Sequence, residues 1–425
     1  MTLRTAARLA TAAVLLAGCA QSEPAARAPA PQARPATPVA ADPAEPAPRP
    51  ASFVAWRDGF RAKARAAGVS DATFDAAFAG VGLNARVLEL DGRQPEFVRP
   101  IWDYIDSAVS ETRVATGRRL RVEKADDLAR IEAAYGVPAE IVLAIWGAES
   151  AFGSFYGDIN VIEALATLAY EGRRRSFGEE QLIAALTILQ AGDIAPERMV
   201  GSWAGAMGHT QFIPTSYLAY AVDFTGDGRR DLWAEDALDA LASTANYLAR
   251  AGWRTGAPWG AEARLPQGFD HGLADGRARD AAFWAERGVR TVGGAAPVDH
   301  GPAKLLLPAG ARGPAFLTYA NFDAIKRYNN ATAYALAVAH LADRIGGGGP
   351  FAAEWPRGDR PLSRSEKEEM QRRLTGLGFD TRGADGIVGP DTRAAIRGFQ
   401  SSRGLPPDGY DSAELLAELR RAGGL

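Results

Sequence analysis

One carboxylate of this sequence, Glu149, stands at a helical position where a charged residue is not expected. Pro138 suits the first position of a helix and Gly153 suits its end. Val142, Ile145 and Glu149 then follow i, i+3, i+7 spacing and share one stripe of that helix. Burial and the negative end of the helix dipole both favour the protonated form of a carboxyl group, which is a proton donor. The alternative is that the apolar stripe ends one residue earlier and leaves Glu149 solvated in the last turn.

A glycine-rich block at residues 201–216 departs from the helical pattern around it. Glycines recur at positions 201, 205 and 208, which would weaken a helix and which indicate a close approach of the backbone to another group. The block also contains Trp203, Met207, Gln211 and Phe212. This mixture is unusual for a solvated loop and typical of a sugar-binding wall. A flexible loop without chemical function is the alternative.

A short acidic segment resembles the start of an EF-hand calcium loop. Asp223, Thr225 and Asp227 offer oxygen ligands at alternate positions, and Gly228 stands at the sixth position. The twelfth position, where a closing glutamate is expected, is Ala234. A closing acid would have to come from one of three neighbours: Glu235, Asp236 or Asp239. A plain Asp-Gly turn without metal is the alternative.

Composition limits the classes of partner and cofactor. The chain has 425 residues, 47% of them hydrophobic, which is enough for two or three domains. Because the formal net charge is −3, there is no overall basic field, and we predict no nucleic-acid partner. Cys19 is the only cysteine of the full sequence, which excludes intramolecular disulfides and thiolate metal clusters. The histidines show no metal-ligand spacing: His209, His271, His300 and His340.

The N-terminus has the features of a secretion signal. An apolar run at residues 9–17 follows basic residues and is too short to span a bilayer. It leads into Leu16-Ala17-Gly18-Cys19, which resembles the lipobox of bacterial lipoproteins. The resemblance implies a signal peptide at residues 1–18, a lipidated Cys19 and a membrane anchor. Ala20, in place of an aspartate, implies the periplasmic side of the outer membrane. An ordinary signal peptide with a coincidental cysteine is the alternative.

Composition and periodicity divide the remainder of the chain and predict a mainly α (α+β) fold. The segments are a lipidated Cys and Ala/Pro-rich tether at residues 19–50, a mainly helical domain at 51–346, a linker at 347–361 and a three-helix module at 362–425. The Ala and Pro content of the tether cannot form a core and keeps the chain extended. Within the helical domain, Lys304–Leu307 and residues 315–319 predict a small β-hairpin with a wide loop.

Three motifs, in this order and at these separations, resemble the membrane-bound lytic murein transglycosylase B family. They are Trp146-Gly147-Ala148-Glu149-Ser150 with Gly153, the block at residues 201–216, and Tyr328-Asn329-Asn330 with Tyr334. The resemblance covers most of residues 53–345 and favours the functional interpretation of Glu149. It implies a lysozyme-like catalytic domain with a small β element, which cleaves the glycan strands of peptidoglycan and requires no cofactor.

The resemblance also implies a mechanism. In that family the glutamate of the Glu-Ser motif is the only catalytic carboxylate, and Glu149 stands at that position. Glu149 would first protonate the oxygen between N-acetylmuramic acid and N-acetylglucosamine. It would then remove the proton of the muramic acid 6-hydroxyl, which closes a 1,6-anhydro ring without water. A muramidase that uses water and a wall-binding scaffold lipoprotein without activity are the alternatives.

Further roles are implied residue by residue. Ser202 matches the hydroxyl that hydrogen-bonds the catalytic carboxylate. The implied substrate contacts are Tyr104, which is placed by its distance from Glu149 more than by motif, Gln211, Tyr247, Tyr328, Asn329 and Tyr334. The loop that begins at Asp223 matches a metal loop of some family members and implies a structural Ca²⁺. Asp236 and Asp239 are rivals as its closing ligand.

The C-terminal module resembles the peptidoglycan-binding domain 1 family. Leu374–Phe379, residues 385–389 and Ala394–Gln400 carry this resemblance. Its implied task is to hold the enzyme on the cell wall, which raises the local concentration of substrate. The implied partners are therefore peptidoglycan glycan strands and, through Cys19, a membrane. The sequence identifies no cell-wall synthesis or division partner.

Overall fold

The structure is a computed structural model of the chain that describes residues 52–92, 99–171 and 174–423. The predicted signal peptide, the lipidated Cys19 and the tether at residues 19–50 lie outside the described residues. Helices dominate the described parts, as expected for a mainly α (α+β) protein. None of the described helices combines the length and the apolar character needed to cross a membrane.

The α-helices of the described residues follow one another along the chain in three groups. The first nine are α1 (Phe53–Ala66), α2 (Asp71–Ala77), α3 (Ala85–Gly92), α4 (Ile101–Ala108), α5 (Glu111–Glu123), α6 (Ala125–Tyr135), α7 (Ala139–Ser150), α8 (Val161–Glu171) and α9 (Arg175–Ala191). The second half contains α10 (Pro214–Tyr220), α11 (Leu238–Arg250), α12 (Ala281–Glu286), α13 (Ala320–Tyr328) and α14 (Thr332–Ile345). The C-terminal group is α15 (Arg364–Gly376), α16 (Pro390–Ser402) and α17 (Ala413–Ala422).

The strands form two small antiparallel sheets. The first pairs β1 (Ile159–Asn160) with β2 (Val200–Gly201). The second has the order β4-β3-β6-β5, built from β3 (Gly260–Arg264), β4 (Arg290–Thr291), β5 (Lys304–Leu306) and β6 (Ala315–Thr318). The predicted hairpin is confirmed as β5 and β6, with Leu305 opposite Leu317. The two partner strands β3 and β4 were not predicted from the sequence.

Helix α7, which carries Glu149, lies at the centre of the main core. Its residues 141–147 are all buried, and it packs against α5, α6, α11 and α14. A helix that is apolar around its whole circumference is stable only when other elements enclose it. Leu143 and Ile145 are fully buried, and each contributes about 1.5–3 kcal/mol to folding. The helix begins at Ala139, one position later than expected, because Pro138 has an extended backbone and acts as the cap.

The segment predicted as a linker, residues 347–361, packs against the preceding domain. The Glu262 carboxylate on β3 accepts hydrogen bonds from the backbone N–H groups of Ala352 and Ala353, both at 2.7 Å. The Phe351 ring lies edge-on to the Phe316 ring, with centroids 4.9 Å apart. These contacts fix where the chain enters the C-terminal module.

The C-terminal module is a three-helix unit, as predicted, and has a core of its own. Its core includes the buried side chains of Met370, Leu374, Ile396, Phe399 and Leu419. The helix α15 starts with a capping box in which Ser363 and Glu366 satisfy each other's backbone N–H groups. Such caps typically contribute about 1 kcal/mol to the stability of a helix.

Candidate active site

Glu149 lies in the last turn of α7, with its carboxyl group in a largely apolar surrounding. Burial raises the pKa of this carboxyl group to about 7, although a hydrogen bond from Tyr334 acts in the opposite direction. The Tyr334 hydroxyl donates that bond to Glu149 Oε1 over 2.6 Å. The raised pKa of Glu149 agrees with the expectation from its position on the apolar stripe. A carboxyl group of this kind can both donate and accept a proton near neutral pH.

Three tyrosines surround the carboxyl group: Tyr104 on α4, Tyr328 at the end of α13 and Tyr334 on α14. Burial raises the pKa of each of these phenols, and the nearby Glu149 carboxylate raises it further. All three therefore stay neutral at physiological pH and keep their O–H donors. The structure brings these three predicted residues together around Glu149, as expected.

Tyr334 has a different role from the substrate contact implied by the resemblance. Its side chain is only 4% exposed, and its hydroxyl is committed to Glu149. Tyr334 therefore acts directly on Glu149. This pairing could not be predicted from sequence, because the two residues are separated by 185 positions.

The expected hydrogen bond from Ser202 to Glu149 is not present in the structure. The Ser202 hydroxyl oxygen instead accepts hydrogen bonds from the backbone N–H groups of Ala204 and Ala206, at 3.3 and 3.1 Å. These bonds tighten the turn of the glycine-rich block. The reason for the difference is local: a serine hydroxyl readily caps a turn that follows it closely in sequence.

Tyr247, expected to contact substrate, is a buried packing residue. It is 5% exposed, and its hydroxyl donates to the backbone carbonyl of Arg327. Its ring centroid lies 4.9 Å from that of Tyr328. The hydroxyl of Tyr328 likewise donates to a backbone carbonyl, that of Thr210. Tyr247 therefore positions Tyr328, whose ring rather than its hydroxyl faces the site.

Gln211 and Asn329 are both bound to the backbone. The Gln211 amide nitrogen donates to the carbonyls of Tyr156 and Gly208, both at 2.9 Å, which leaves the amide oxygen as its acceptor for a ligand. Asn329 is exposed and accepts a hydrogen bond from the Ala331 N–H at 3.1 Å. Its extended backbone separates α13 from α14, although the sequence pattern predicted continuous helical texture there.

His209 is a structural residue of the site to which the sequence analysis assigned no role. Its Nδ1 accepts a hydrogen bond from the Trp146 indole N–H at 3.2 Å, and its Nε2 lies 2.9 Å from the carbonyl oxygen of Ala234. Only the neutral ring with the proton on Nε2 satisfies both partners. In addition, the Ser150 hydroxyl donates to the His209 carbonyl at 2.6 Å. His209 therefore joins the catalytic helix α7 to the glycine-rich block and to the chain near residue 234.

The glycine of the Glu-Ser motif, Gly153, is explained by the same histidine. Ala151, Phe152 and Gly153 have φ angles of 48°, 60° and 81°, so the chain turns sharply out of α7 in the left-handed region. A Cβ atom at Gly153 would lie 2.5 Å from the His209 ring. Only glycine fits both the backbone conformation and the space.

Replacing His209 with alanine is expected to destabilise the fold by about 2–4 kcal/mol, because it leaves a cavity and an unpaired buried Trp146 N–H. Urea denaturation of the purified protein measures this change. His300→Ala, at an exposed histidine, is the matched control and should leave the free energy of unfolding within about 0.5 kcal/mol of the parent. Equal stability of the two variants would contradict the role of His209 in joining α7 to the glycine-rich block.

The acidic loop gathers three carboxylates. Oxygens of Asp223, Asp227 and Asp239 lie within 4.8 Å of one another. Asp239 is 2% exposed, and burial together with the nearby Asp223 raises its pKa. Three facing carboxylates, one of them buried, fit a divalent cation with oxygen ligands. Of the rival closing acids, Asp239 is the one that lies in this cluster, where its carboxylate also accepts hydrogen bonds from the backbone N–H groups of Phe224, Thr225 and Asp231.

Two other predicted ligands are placed differently. The Asp236 carboxylate accepts the Leu238 N–H at 3.1 Å and caps the start of α11 instead of facing the cluster. The Thr225 hydroxyl donates to Asp223 at 3.3 Å, so it supports a carboxylate of the cluster. Spacing alone could not separate Asp236 from Asp239, because both lie close to the loop in sequence.

Comparison with protein-family models gives two matches. A model described as a transglycosylase SLT domain matches residues 52–343. A model described as a peptidoglycan binding domain matches residues 363–419.

Individual proteins are also similar to the chain. The membrane-bound lytic murein transglycosylase B of Escherichia coli (strain K12) is 35% identical over 227 residues, which are 52% of this chain and 60% of that protein. The crystal structure of SltB3 from Pseudomonas aeruginosa in complex with NAG-anhNAM-pentapeptide is 52% identical, with a TM-score of 0.85, and the match covers 87% of this chain and 100% of that chain. The structure of the Escherichia coli lytic transglycosylase SLT35 in complex with calcium is 31% identical, with a TM-score of 0.58, and the match covers 68% and 92% of the two chains.

Proposed function

Because the chain belongs to the transglycosylase SLT domain family, we propose that it is a lytic transglycosylase of peptidoglycan. It cleaves the β-1,4 bond between N-acetylmuramic acid and N-acetylglucosamine and leaves a 1,6-anhydro-muramic acid end. The substrate assignment is supported by the relatives named above, of which the curated Escherichia coli protein is matched over 60% of its length.

The observation that carries the proposal is a single carboxyl group with a pKa of about 7. Hydrolytic glycosidases usually place two carboxylates about 5–9.5 Å apart, one as the acid and one as the nucleophile or base. Among the described residues, no second carboxyl group perturbs Glu149; burial and Tyr334 account for its shift. With one carboxyl group, the nucleophile must come from outside the protein, and the muramic acid 6-hydroxyl of the substrate is the one that yields the anhydro product.

The reaction then proceeds in two proton transfers. Protonated Glu149 gives its proton to the glycosidic oxygen as that bond breaks, and the acetamido oxygen of the substrate stabilises the positive anomeric carbon. Glu149, now a carboxylate, is stabilised by the Tyr334 hydroxyl. It removes the proton of the muramic acid 6-hydroxyl as that oxygen bonds to the anomeric carbon. The carboxyl group ends protonated and ready for another turnover.

The experiment that tests this function is digestion of purified sacculi in oxygen-18-labelled water, followed by mass spectrometry of the products. We expect anhydro-muropeptides without the label. Reducing-end products that carry the label would show a muramidase, and intact binding without any product would show a scaffold.

The metal proposal concerns stability alone. A Ca²⁺ ion held by Asp223, Asp227 and Asp239 binds only the folded state, so it should raise the thermal midpoint; saturation at 100 times Kd is worth about 2.7 kcal/mol. We expect this response to disappear in Asp239→Asn and to persist in Asp236→Asn, the matched control. Differential scanning fluorimetry with and without Ca²⁺ measures it. If Asp236→Asn lost the response and Asp239→Asn kept it, Asp236 rather than Asp239 would be the closing ligand.

The N-terminal features support a lipoprotein. In this proposal residues 1–18 are removed, Cys19 is lipidated, and the tether at residues 19–50 holds the domain at 51–346 on the periplasmic side of the outer membrane. The segment at 347–361 then leads to the wall-binding module at 362–425. Labelled palmitate should enter the parent and not Cys19→Ala; equal labelling would contradict the anchor.

A further inference from the structure

A cavity of about 570 Å³, whose lining does not include Glu149, lies between the four-stranded sheet, the start of α4, α13 and the C-terminal module. The sheet side is formed by β5, and the module side includes the start of α16. It is large enough for several residues of a peptide and too polar for a purely apolar ligand.

Cations outnumber acids in the lining of this cavity. The cations are Arg99, Lys304, Lys326, Lys367, Arg393 and Arg397, and the acids are Asp323, Asp408 and Asp411.

The three acids are already engaged. Asp323 pairs with Lys304 at 2.7 Å, and Asp411 pairs with Lys367 at 3.6 Å. The third, Asp408, accepts hydrogen bonds at 2.7–2.9 Å from the Gln400 amide and from two backbone N–H groups. With six cations and three acids, the lining carries an excess of three positive charges.

Three of these cations, Lys326, Arg393 and Arg397, have no carboxylate within 4 Å in the described parts of the chain. Arg393 and Arg397 each reach only a backbone carbonyl, at 3.3 and 3.4 Å. Burial lowers the pKa of Lys326; Asp323 acts in the opposite direction, and Lys304 and Arg393 lower the pKa further. Burial likewise lowers the pKa of Arg397, Asp275 acts against it, and Arg393 adds to the lowering. The fold thus holds mutually repelling, partly desolvated cations together, which an anionic ligand would stabilise.

The cavity borders the catalytic cleft through shared elements. Lys326 precedes Tyr328 by two residues on α13, and Trp102 precedes Tyr104 by two residues on α4. Ala333, at the start of α14, is adjacent to Tyr334. Residues two apart on a helix point to nearly opposite sides of it, so the cavity and Glu149 lie on different sides of α4 and α13, about one helix diameter of 10–12 Å apart. An extended peptide spans up to about 3.3–3.6 Å per residue, so a stem of several residues on a sugar beside Glu149 can cover that distance.

We propose that this cavity binds the carboxylates of the peptide stem carried by the peptidoglycan strand whose sugars occupy the cleft. The proposal rests on the proposed function. The amino sugars of the strand are uncharged, whereas the stem joined to muramic acid is a short peptide with several carboxylates. A cavity with an excess of lysine and arginine between the catalytic domain and the C-terminal module matches the stem rather than the sugars.

Two substrates made from the same sacculi test the proposal with the full chain: glycan strands that keep their stems, and strands from which an amidase has removed them. We expect the parent to prefer stem-bearing strands by kcat/KM. That preference should fall about tenfold in Lys326→Gln and in Arg393→Gln, mainly through KM, and should recover in Lys326→Arg. Arg382→Gln, a highly exposed cation of the same module outside the cavity, is the matched control and should keep the preference.

Two outcomes would overturn the proposal: no preference in the parent, or an equal loss on both substrates in the cavity variants. A parent that makes no product from either substrate would defeat the proposed function instead. Calorimetric titration with the free stem pentapeptide then tests the proposed binding in the cavity separately, because binding does not depend on turnover. We expect the peptide to bind the parent and to bind Lys326→Gln about tenfold more weakly.

Discussion

Replacing Glu149 with glutamine is expected to reduce the release of soluble muropeptides from sacculi by about a thousandfold or more. The replacement keeps the shape of the side chain and an oxygen that accepts from Tyr334, but it removes the only group that donates and then accepts the proton. General acid–base catalysis alone contributes about 10²–10⁴ in rate. Initial rates of release, measured by chromatography, give the comparison.

Glu140→Gln is the matched control for this prediction. Glu140 lies in the first turn of the same helix, at the opposite end from Glu149, and forms a partly exposed ion pair with Arg121 at 2.5 Å. Its replacement should change the rate less than about twofold, because this pair lies away from the reacting groups and such partly solvated pairs contribute only about 1 kcal/mol to stability. A Glu149→Gln variant that keeps a tenth of the parent rate would exclude Glu149 as the catalytic acid.

The same glutamine variant should also be more stable than the parent at alkaline pH. The folded pKa of Glu149 is about 7, above its ordinary value of 4.5. Below pH 4.5 the group is protonated in both states and costs nothing; as the pH rises through 7, the folded state holds an unfavourable charge. We expect glutamine to stabilise the fold by on the order of 3 kcal/mol at pH 8 and by little at pH 4. Urea denaturation at the two pH values measures the difference.

Replacing Tyr334 with phenylalanine is expected to slow turnover about 10–100-fold and to move its pH profile. The lost hydroxyl stabilises the Glu149 carboxylate that forms in the first step, and a hydrogen bond to a charged group is worth about 1.5–3 kcal/mol. Because that bond lowers the pKa of Glu149, its loss raises the pKa. The free enzyme must start protonated, so the basic limb of kcat/KM should shift to higher pH by about one unit.

Tyr247→Phe is the matched control for Tyr334→Phe. Its hydroxyl binds the Arg327 carbonyl and makes no contact with Glu149 among the described residues. The variant is expected to lose some stability while its basic limb stays at the pH of the parent. A basic limb that moves equally in both variants, or in neither, would contradict the role assigned to Tyr334.

Features encoded over short stretches were predicted well from the sequence. The helix that carries Glu149 was predicted from Pro138, Gly153 and the spacing of its apolar residues, and the β5–β6 hairpin was predicted from two short apolar runs. Strand β3 was missed because it contains no β-branched or aromatic residue and is held by pairing with β6, more than 50 positions away. Its identity as a strand therefore depends on tertiary contacts.

Long-range partners within the site were the least predictable. The motif placed Glu149 correctly on α7, but its hydrogen-bond donor comes from Tyr334 on α14 rather than from Ser202. The hydrogen bonds of His209 could not be predicted either, because their partners, Trp146 and Ala234, come from two separate parts of the chain. Packing decides which of several capable side chains meet, and a single sequence does not contain that information locally.

The measurement that tests the central claim most directly is a carbon-13 NMR titration of the glutamate carboxyl groups, carried out on the parent and on Glu149→Gln. The structure predicts one resonance with a midpoint near pH 7 in the parent, and its absence in the variant. If every glutamate resonance of the parent titrated below pH 5, Glu149 would be ionised at working pH. It could not then donate the first proton, and the mechanism would be wrong.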